Sequence, residues 1–211
     1  MTDIGKKHQK AREQFFTNLA ILLQEQGMEW GQKLISSTEQ RCEFLPNYHH
    51  ILFPEGIMQI MEGFESWQDE QMLGILEKEE KKIKVREKIQ RALEVRLLET
   101  LPKSVILKQN ALFLLPNNLL LGTNCYSKTC DIIWRYAGDK SDDFNYYTKR
   151  GLLFTVYALV RLFYLADNSE GYIKTKEFIA TSLDNIINIA SIKNKLKFPH
   201  MEDIPIFRLF S

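Results

Sequence analysis

CDIIWRYAGDKSDDFNYYTKRGLLFTVYALVRLFYLA, residues 130–166, governs the reading of the rest of the chain, because its two halves ask for different surroundings. The first half sets Trp134, Tyr136, Phe144, Tyr146 and Tyr147 among Asp131, Asp139, Asp142, Asp143, Lys149 and Arg150. The second half is apolar on nearly every helical face, with Arg161 as its only charge. Gly138 ends one helix, and Ser141 or Asp142 is placed to cap the next, where the adjacent carboxylates complement the positive end of the dipole. That next helix runs to about Ala166, stopped by Asp167-Asn168-Ser169-Glu170-Gly171. Its fully apolar part is shorter than the ~20 residues that span a bilayer. A helix apolar all round inside such a chain is buried on several sides. It is a central bundle helix, a dimer helix or the wall of an apolar cavity.

Helical periodicity extends in both directions from this stretch. Upstream, Phe15, Leu19, Leu22 and Leu23 share a face of a helix over 9–26, with Gly27 as its C-cap. A second short helix spans 30–43, and a third spans 46–53 with Pro46 at its first position. Three short helices here are the plan of a helix-turn-helix module, whose last helix would enter the DNA major groove. That helix holds no Lys or Arg, and only Asn47 resembles a base-reading side chain. A fourth helix begins at Pro54-Glu55-Gly56 and carries Ile57, Ile60, Met61, Phe64 and Trp67 as a core stripe. Charged residues follow from Glu77, with Glu77/Lys81, Glu80/Lys84 and Glu87/Arg91 spaced as i,i+4 pairs on a solvated face. Leu93, Leu97 and Leu98 then return the chain to the core. Pro102 and Pro116 bracket a further helix, another leads from Asn117 or Asn118 towards Tyr136, and a long last one covers 170–195. No useful length of strand alternation occurs. The fold class expected is an all-α bundle of about nine or ten helices.

Composition narrows the function. The chain has 211 residues, 45% of them hydrophobic, which suits one domain with a sizeable core. A formal net charge of +1 gives no global case for nucleic acid. The three cysteines, Cys42, Cys125 and Cys130, form no C-x-x-C pair, which argues against a zinc site or a disulfide framework and suits a reducing compartment. The N-terminus, MTDIGKKHQK, resembles neither a signal peptide nor a transit peptide, so a cytoplasmic protein is expected. None of His8, His49, His50 and His200 has a carboxylate or Cys at metal spacing, and no P-loop, G-x-G-x-x-G or G-x-S-x-G occurs. No catalytic residue, metal or cofactor is assigned.

WRYAGDKSDDFNYYTKR, residues 134–150, closely resembles the W-x-Y-A-G-D-x-S-x-D-F-N-W/Y-Y-x-K/R-R signature of a ubiquinone-biosynthesis accessory family, the ninth Coq proteins. LFPEGIMQIMEGFESW, residues 52–67, resembles that family's L-F-P-x-G segment. The resemblance implies a TetR-regulator-like helical bundle with a degenerate N-terminal helix-turn-helix, and a homodimer without DNA binding. The division expected is 1–53 for the degenerate module, 54–196 for a lipid-binding and dimerisation domain, and 197–211 for an apolar tail. It further implies an apolar cavity for an isoprenoid quinone precursor or a phospholipid. The family supports the demethoxyubiquinone hydroxylase through a surface patch, which here is Asp143, Asn145, Tyr146 and Tyr147 together with Trp134. Tyr146 stands where eukaryotic members have Trp, which keeps an aromatic anchor. From their spacing on the apolar helices, Leu97, Ile106, Phe113, Leu120, Ile133, Leu153, Tyr157 and Leu162 are the candidate cavity walls. Eukaryotic members of that family end in a membrane-docking amphipathic helix, whereas this tail is interrupted by Pro205, so peripheral membrane contact would fall to 204–210. The lack of a transit peptide suits a bacterial member, cytoplasmic or peripheral on the inner face of the membrane. A TetR-type regulator with an apolar effector pocket is the alternative.

Overall fold

The computed structural model describes residues 3–79, 84–140 and 144–195, with side chains outside 4, 144–145 and 187–195. Nine α-helices and no strand occur among them, so the all-α reading holds. They are α1 (Asp3–Leu22), α2 (Gln32–Arg41), α3 (His49–Leu52), α4 (Ile57–Leu76), α5 (Val85–Glu94), α6 (Lys103–Phe113), α7 (Leu119–Tyr136), α8 (Phe144–Ala166) and α9 (Ile173–Lys195). Ser141 to Asp143 and the apolar tail lie outside the described residues.

The first three helices pack on one another, but α3 is shorter than its sequence suggests. It has four residues, and Pro46 opens the turn before it rather than its first helical position. The reason is Glu39, buried on α2. Its carboxylate accepts the backbone N–H groups of Asn47 (3.2 Å) and His49 (2.8 Å) and contacts His49 Nδ1 (2.7 Å). This side chain supplies the N-terminal acceptors that a new helix needs. Asn47 is thereby held at a φ of 66° before the helix, a left-handed conformation that Asn tolerates better than most residues.

Helix α4 ties the molecule together. Ile60, Phe64 and Trp67 join a first apolar cluster with Phe15, Phe16, Leu19, Leu23, Leu34 and Phe53. Met72 and Leu76 join a second with Ile89, Leu93, Leu97, Ile133, Leu153, Tyr157, Val160 and Ile179. Between these two stretches α4 presents Glu65, Gln68 and Asp69, all buried. Arg96 meets them, its Nη2 donating to Glu65 Oε2 (2.6 Å) and its Nε to Asp69 Oδ1 (2.6 Å). Gln109 donates to Glu65 Oε1 (2.9 Å), and Thr129 to Asp69 (3.0 Å). Burial opposes the guanidinium charge of Arg96, and Tyr157, Asp69 and Glu65 more than offset it.

Arg96 reaches this layer because α5 passes into a π-helical turn, Val95–Glu99, closed by Thr100 N–H donating to the Val95 carbonyl (3.2 Å). Val95, Arg96 and Leu97 of this wider turn all lie inward. Of the three charged i,i+4 pairs, those with Glu80 and Lys81 fall outside the described residues. Glu87 instead caps α5 by accepting the Lys84 N–H (3.0 Å). Arg91 pairs with Glu79 and Glu99, which ties the turn after α4 to α5 and the π turn.

Candidate functional site

Helices α7 and α8 lie antiparallel, and the YAGDKSDD link between them begins with Gly138 at a φ of 95°. That left-handed residue is where glycine is needed. The pairing brings together the charged aromatic motif. Asp131 of α7 accepts Arg135 Nε (2.6 Å) at one oxygen, and Arg150 Nε (2.6 Å) with the Tyr146 hydroxyl (3.1 Å) at the other. Arg150 Nη1 also donates to Asp139 (3.0 Å), whose second oxygen accepts Lys149 Nζ (2.6 Å). The Arg150 guanidinium lies over the Tyr146 ring at 3.5 Å, and Lys149 over Trp134 at 5.6 Å. Trp134 Nε1 donates to the Lys149 carbonyl (3.1 Å). Tyr147 packs edge-on against Tyr146 and is 72% exposed.

The expected patch therefore divides into roles. Trp134 and Tyr146 are partly buried and hold the lattice of ions in register; Tyr147 projects from it. Asp143 and the side chain of Asn145 lie outside the described residues. Sequence reasoning did not single out Asp131 and Arg150 as its linchpins. The i,i+4 spacing of Asp131 and Arg135, facing Tyr146 and Arg150 at the same spacing, is the signal that could have found them.

Burial pushes the Asp131 carboxyl up, but the hydrogen bonds from Arg135, Arg150 and Tyr146 win and hold it below the usual carboxylate range. A depressed folded value means stabilisation that is present above the unfolded value near 4 and is lost as pH falls through the folded one. Asp131→Asn is thus expected to cost about 1 kcal/mol at pH 7, part exposure being allowed for. It should also flatten the acid limb below about pH 4. Thermal melts of both proteins from pH 7 to pH 3 check this; parallel acid limbs would refute it.

Beside the lattice lies an apolar slot between α5, α7, α8 and α9, of about 380 Å³. Ile89, Trp134, Leu152, Leu153, Leu183 and Ile186 line it, with Arg86 and Lys149 at its edge. Trp134 and Lys149 thus belong to both the slot and the lattice. Arg86 is held by Asp184 (2.6 Å) and the Ala180 carbonyl (3.1 Å), which ties α5 to α9.

The sequence-derived wall candidates disperse. Leu153 lines this slot, whereas Phe113 and Leu162 line a smaller cleft between α6, α7 and α8. Leu97, Ile106, Ile133 and Tyr157 are fully buried in the clusters, and Leu120 is 80% exposed. Among its described side chains, helix α8 buries Arg150, Leu153, Val156, Tyr157, Val160, Arg161 and Tyr164, and leaves Leu159 and Leu162 half exposed. Slot-lining Ile89, Leu183 and Ile186 were missed because α5 and α9 read as ordinary amphipathic helices.

Among the described residues no group of three His, Cys, Asp or Glu side chains is placed to hold a metal ion, and no helix is long and apolar enough to cross a membrane. All three cysteines are buried and free. Burial pushes the Cys125 thiol up to about 12 and raises Cys130 and Cys42 as well, the opposite of an activated nucleophile.

Comparison with known proteins converges on the same helices. The COQ9 family model matches residues 121–190, which hold most of α7, the link, α8 and much of α9. The probable ubiquinone biosynthesis protein coq9, mitochondrial, of Dictyostelium discoideum is 35% identical over 82 residues, 39% of this chain and 27% of that protein. Bos taurus ubiquinone biosynthesis protein COQ9, mitochondrial, is 30% identical over 87 residues, 41% of this chain and 27% of its own length. A longer match, to Xenopus tropicalis COQ9, is 27% identical and covers 66% of this chain and 47% of that relative. The chain thus spans about a quarter to a half of the curated relatives it matches. The helices that build the ionic lattice and most of the slot are thus the part of this chain that is similar to the COQ9 family.

Proposed function

We propose that the protein is a non-enzymatic accessory protein of ubiquinone biosynthesis, which binds an isoprenoid quinone precursor and presents it to the demethoxyubiquinone hydroxylase. The observation that carries this reading is the shared wall of Trp134 and Lys149, which sets an apolar slot directly beside the aromatic patch. A polyprenyl chain offers no hydrogen bonds, so its affinity comes from buried apolar area, at about 25 cal/mol per Å² before association costs. The slot suits this: its lining is almost wholly apolar side chains, and its volume falls within the ~300–1,000 Å³ of small-molecule sites. The similar proteins of Dictyostelium discoideum and Bos taurus are ubiquinone biosynthesis proteins by name, which supports the pathway. The exposed leucines of α7 and α8, among them Leu119, Leu120, Leu159 and Leu162, suit a second copy of the chain and so the expected homodimer. Peripheral membrane contact belongs to the same reading, with the slot loaded at the bilayer surface. Nothing favours the DNA-binding alternative: α3 has four residues, and Asn47 precedes it with its N–H held by Glu39.

Organic extraction of the purified protein with mass spectrometry of the extract tests this. Isoprenoid quinones or their precursors are expected, near one per chain or per dimer. Leu152→Glu and Ile186→Glu, which put a carboxylate into the slot from partly buried positions, should lower the yield at least about tenfold with helicity unchanged. An extract free of isoprenoids, or an equal yield from both variants, would overturn the reading.

A further inference from the structure

On the opposite face of α8 from the slot, the cleft between α6, α7 and α8 is built differently. Its volume is about 150 Å³, and its walls are Phe113, Tyr126, Phe154 and Leu162. Gly122 and Ala158 keep it open. A Cβ on Gly122 would come within 2.8 Å of Phe113, so only glycine lets α6 approach α7 this closely. A cavity of about this size holds one benzene ring.

Asn110 and Arg161 also line the cleft, and both are at least nine-tenths buried. Asn110 Oδ1 accepts Arg161 Nε (2.7 Å) and the Tyr126 hydroxyl (3.0 Å). Arg161 can only donate, so this contact fixes which end of the Asn110 amide is oxygen and which is nitrogen. The consequence is an Nδ2 with no hydrogen-bond partner. Arg161 Nη1 donates to the Tyr157 hydroxyl (3.0 Å), and Nη2 also has no partner. Buried donors without acceptors bear their full desolvation cost, so two of them on residues that line one ring-sized cleft call for an explanation. A carbonyl oxygen has two lone pairs and satisfies both.

We infer that this cleft is a second ligand subsite, which takes a single six-membered ring carrying a ketone oxygen, held by Arg161 Nη2 and Asn110 Nδ2. The inference rests on the lipid-carrier reading only for the source of such a ring, as the head of the carried molecule. Thr123 and Phe154 line both this cleft and a neighbouring groove walled by Tyr146 and Tyr147. A ring seated here therefore lies next to the proposed partner patch.

The test uses two small molecules of one shape, acetophenone and α-methylstyrene, which exchange C=O for C=CH2. Each is titrated into the full chain and followed by amide chemical shifts. Acetophenone is expected to bind at least about tenfold more tightly, because only it accepts the two donors. Ala158→Phe fills the cleft from a partly exposed position and leaves Asn110 and Arg161 unsubstituted, and should abolish both titrations. Equal affinity for the two probes, no binding of either, or binding that survives Ala158→Phe overturns the subsite. Neither probe has an isoprenoid tail, so a protein that yields isoprenoid lipid but shows no ketone preference keeps the proposed function and loses this subsite alone.

Discussion

Arg96→Leu is expected to destabilise the protein by about 3–5 kcal/mol, the loss typical of breaking a fully buried ion pair from one side. Arg96 is wholly buried, and its removal leaves the two carboxylates of Glu65 and Asp69 in one buried layer with Arg161, 3.9 Å from Glu65, as their nearby cation. In a chain of this size each kcal/mol moves Tm by about 2–4 °C, so a fall on the order of 10 °C should appear in thermal melts. Urea denaturation provides the independent value. Arg96→Lys should recover little, because an ammonium cannot reach Asp69 through Nε and Glu65 through Nη2 at once. Replacing Arg96 and Asp69 together by leucine should cost less than Arg96→Leu alone, since the Glu65 carboxylate that stays then faces Arg161 at 3.9 Å without a second buried carboxylate beside it. A loss below about 1 kcal/mol for Arg96→Leu would mean the layer is hydrated rather than closed.

Tyr147→Ala is expected to weaken binding to the hydroxylase by about 30-fold or more, the effect of a central aromatic anchor worth at least ~2 kcal/mol. Its side chain is exposed, and its packing contact is the edge of the Tyr146 ring. Folding should therefore be untouched, with stability changed by no more than about 0.5 kcal/mol. Tyr146→Phe makes the complementary probe. It removes only the hydroxyl that donates to Asp131 and keeps the ring under Arg150, so its effect on binding should be several-fold smaller. Calorimetric titration of the purified hydroxylase into each variant, alongside thermal melts, separates the two roles. An unchanged Kd for Tyr147→Ala with an intact fold would remove this residue from the interface.

Local chemistry made much of this legible in advance. Pro102 and Gly138 sit where α6 begins and α7 ends because proline and a left-handed glycine act on their own backbone. Of the stripe Ile57, Ile60, Met61, Phe64 and Trp67, the last four are buried as their period required, whereas Ile57 at the first turn of α4 is exposed. The aromatic motif reads as a surface feature because it mixes rings with charges at helical spacing. The cavity walls were not legible. Leu97, Ile133, Leu153 and Leu162 are equally apolar in sequence, yet two lie in closed core, one lines the slot and one lines the ring-sized cleft. Apolarity marks a residue for burial, and only the packing of neighbouring helices decides whether a space remains beside it.

The sequence by itself determined the helices, the place of most of their ends, and the motif that marks the family, since all three depend on residues within a few positions of one another. Tertiary structure alone decided that Glu39 would shorten α3, and that a π turn would carry Arg96 to Glu65 and Asp69. It also decided that Arg161, which reads as a stray charge on an apolar helix, would meet Asn110 at the end of a cleft. Each of these pairs residues 10 to 51 positions apart. Such charges are tolerable only once the chain has closed around them, because desolvation makes a buried charge unstable until its partner arrives from a distant segment.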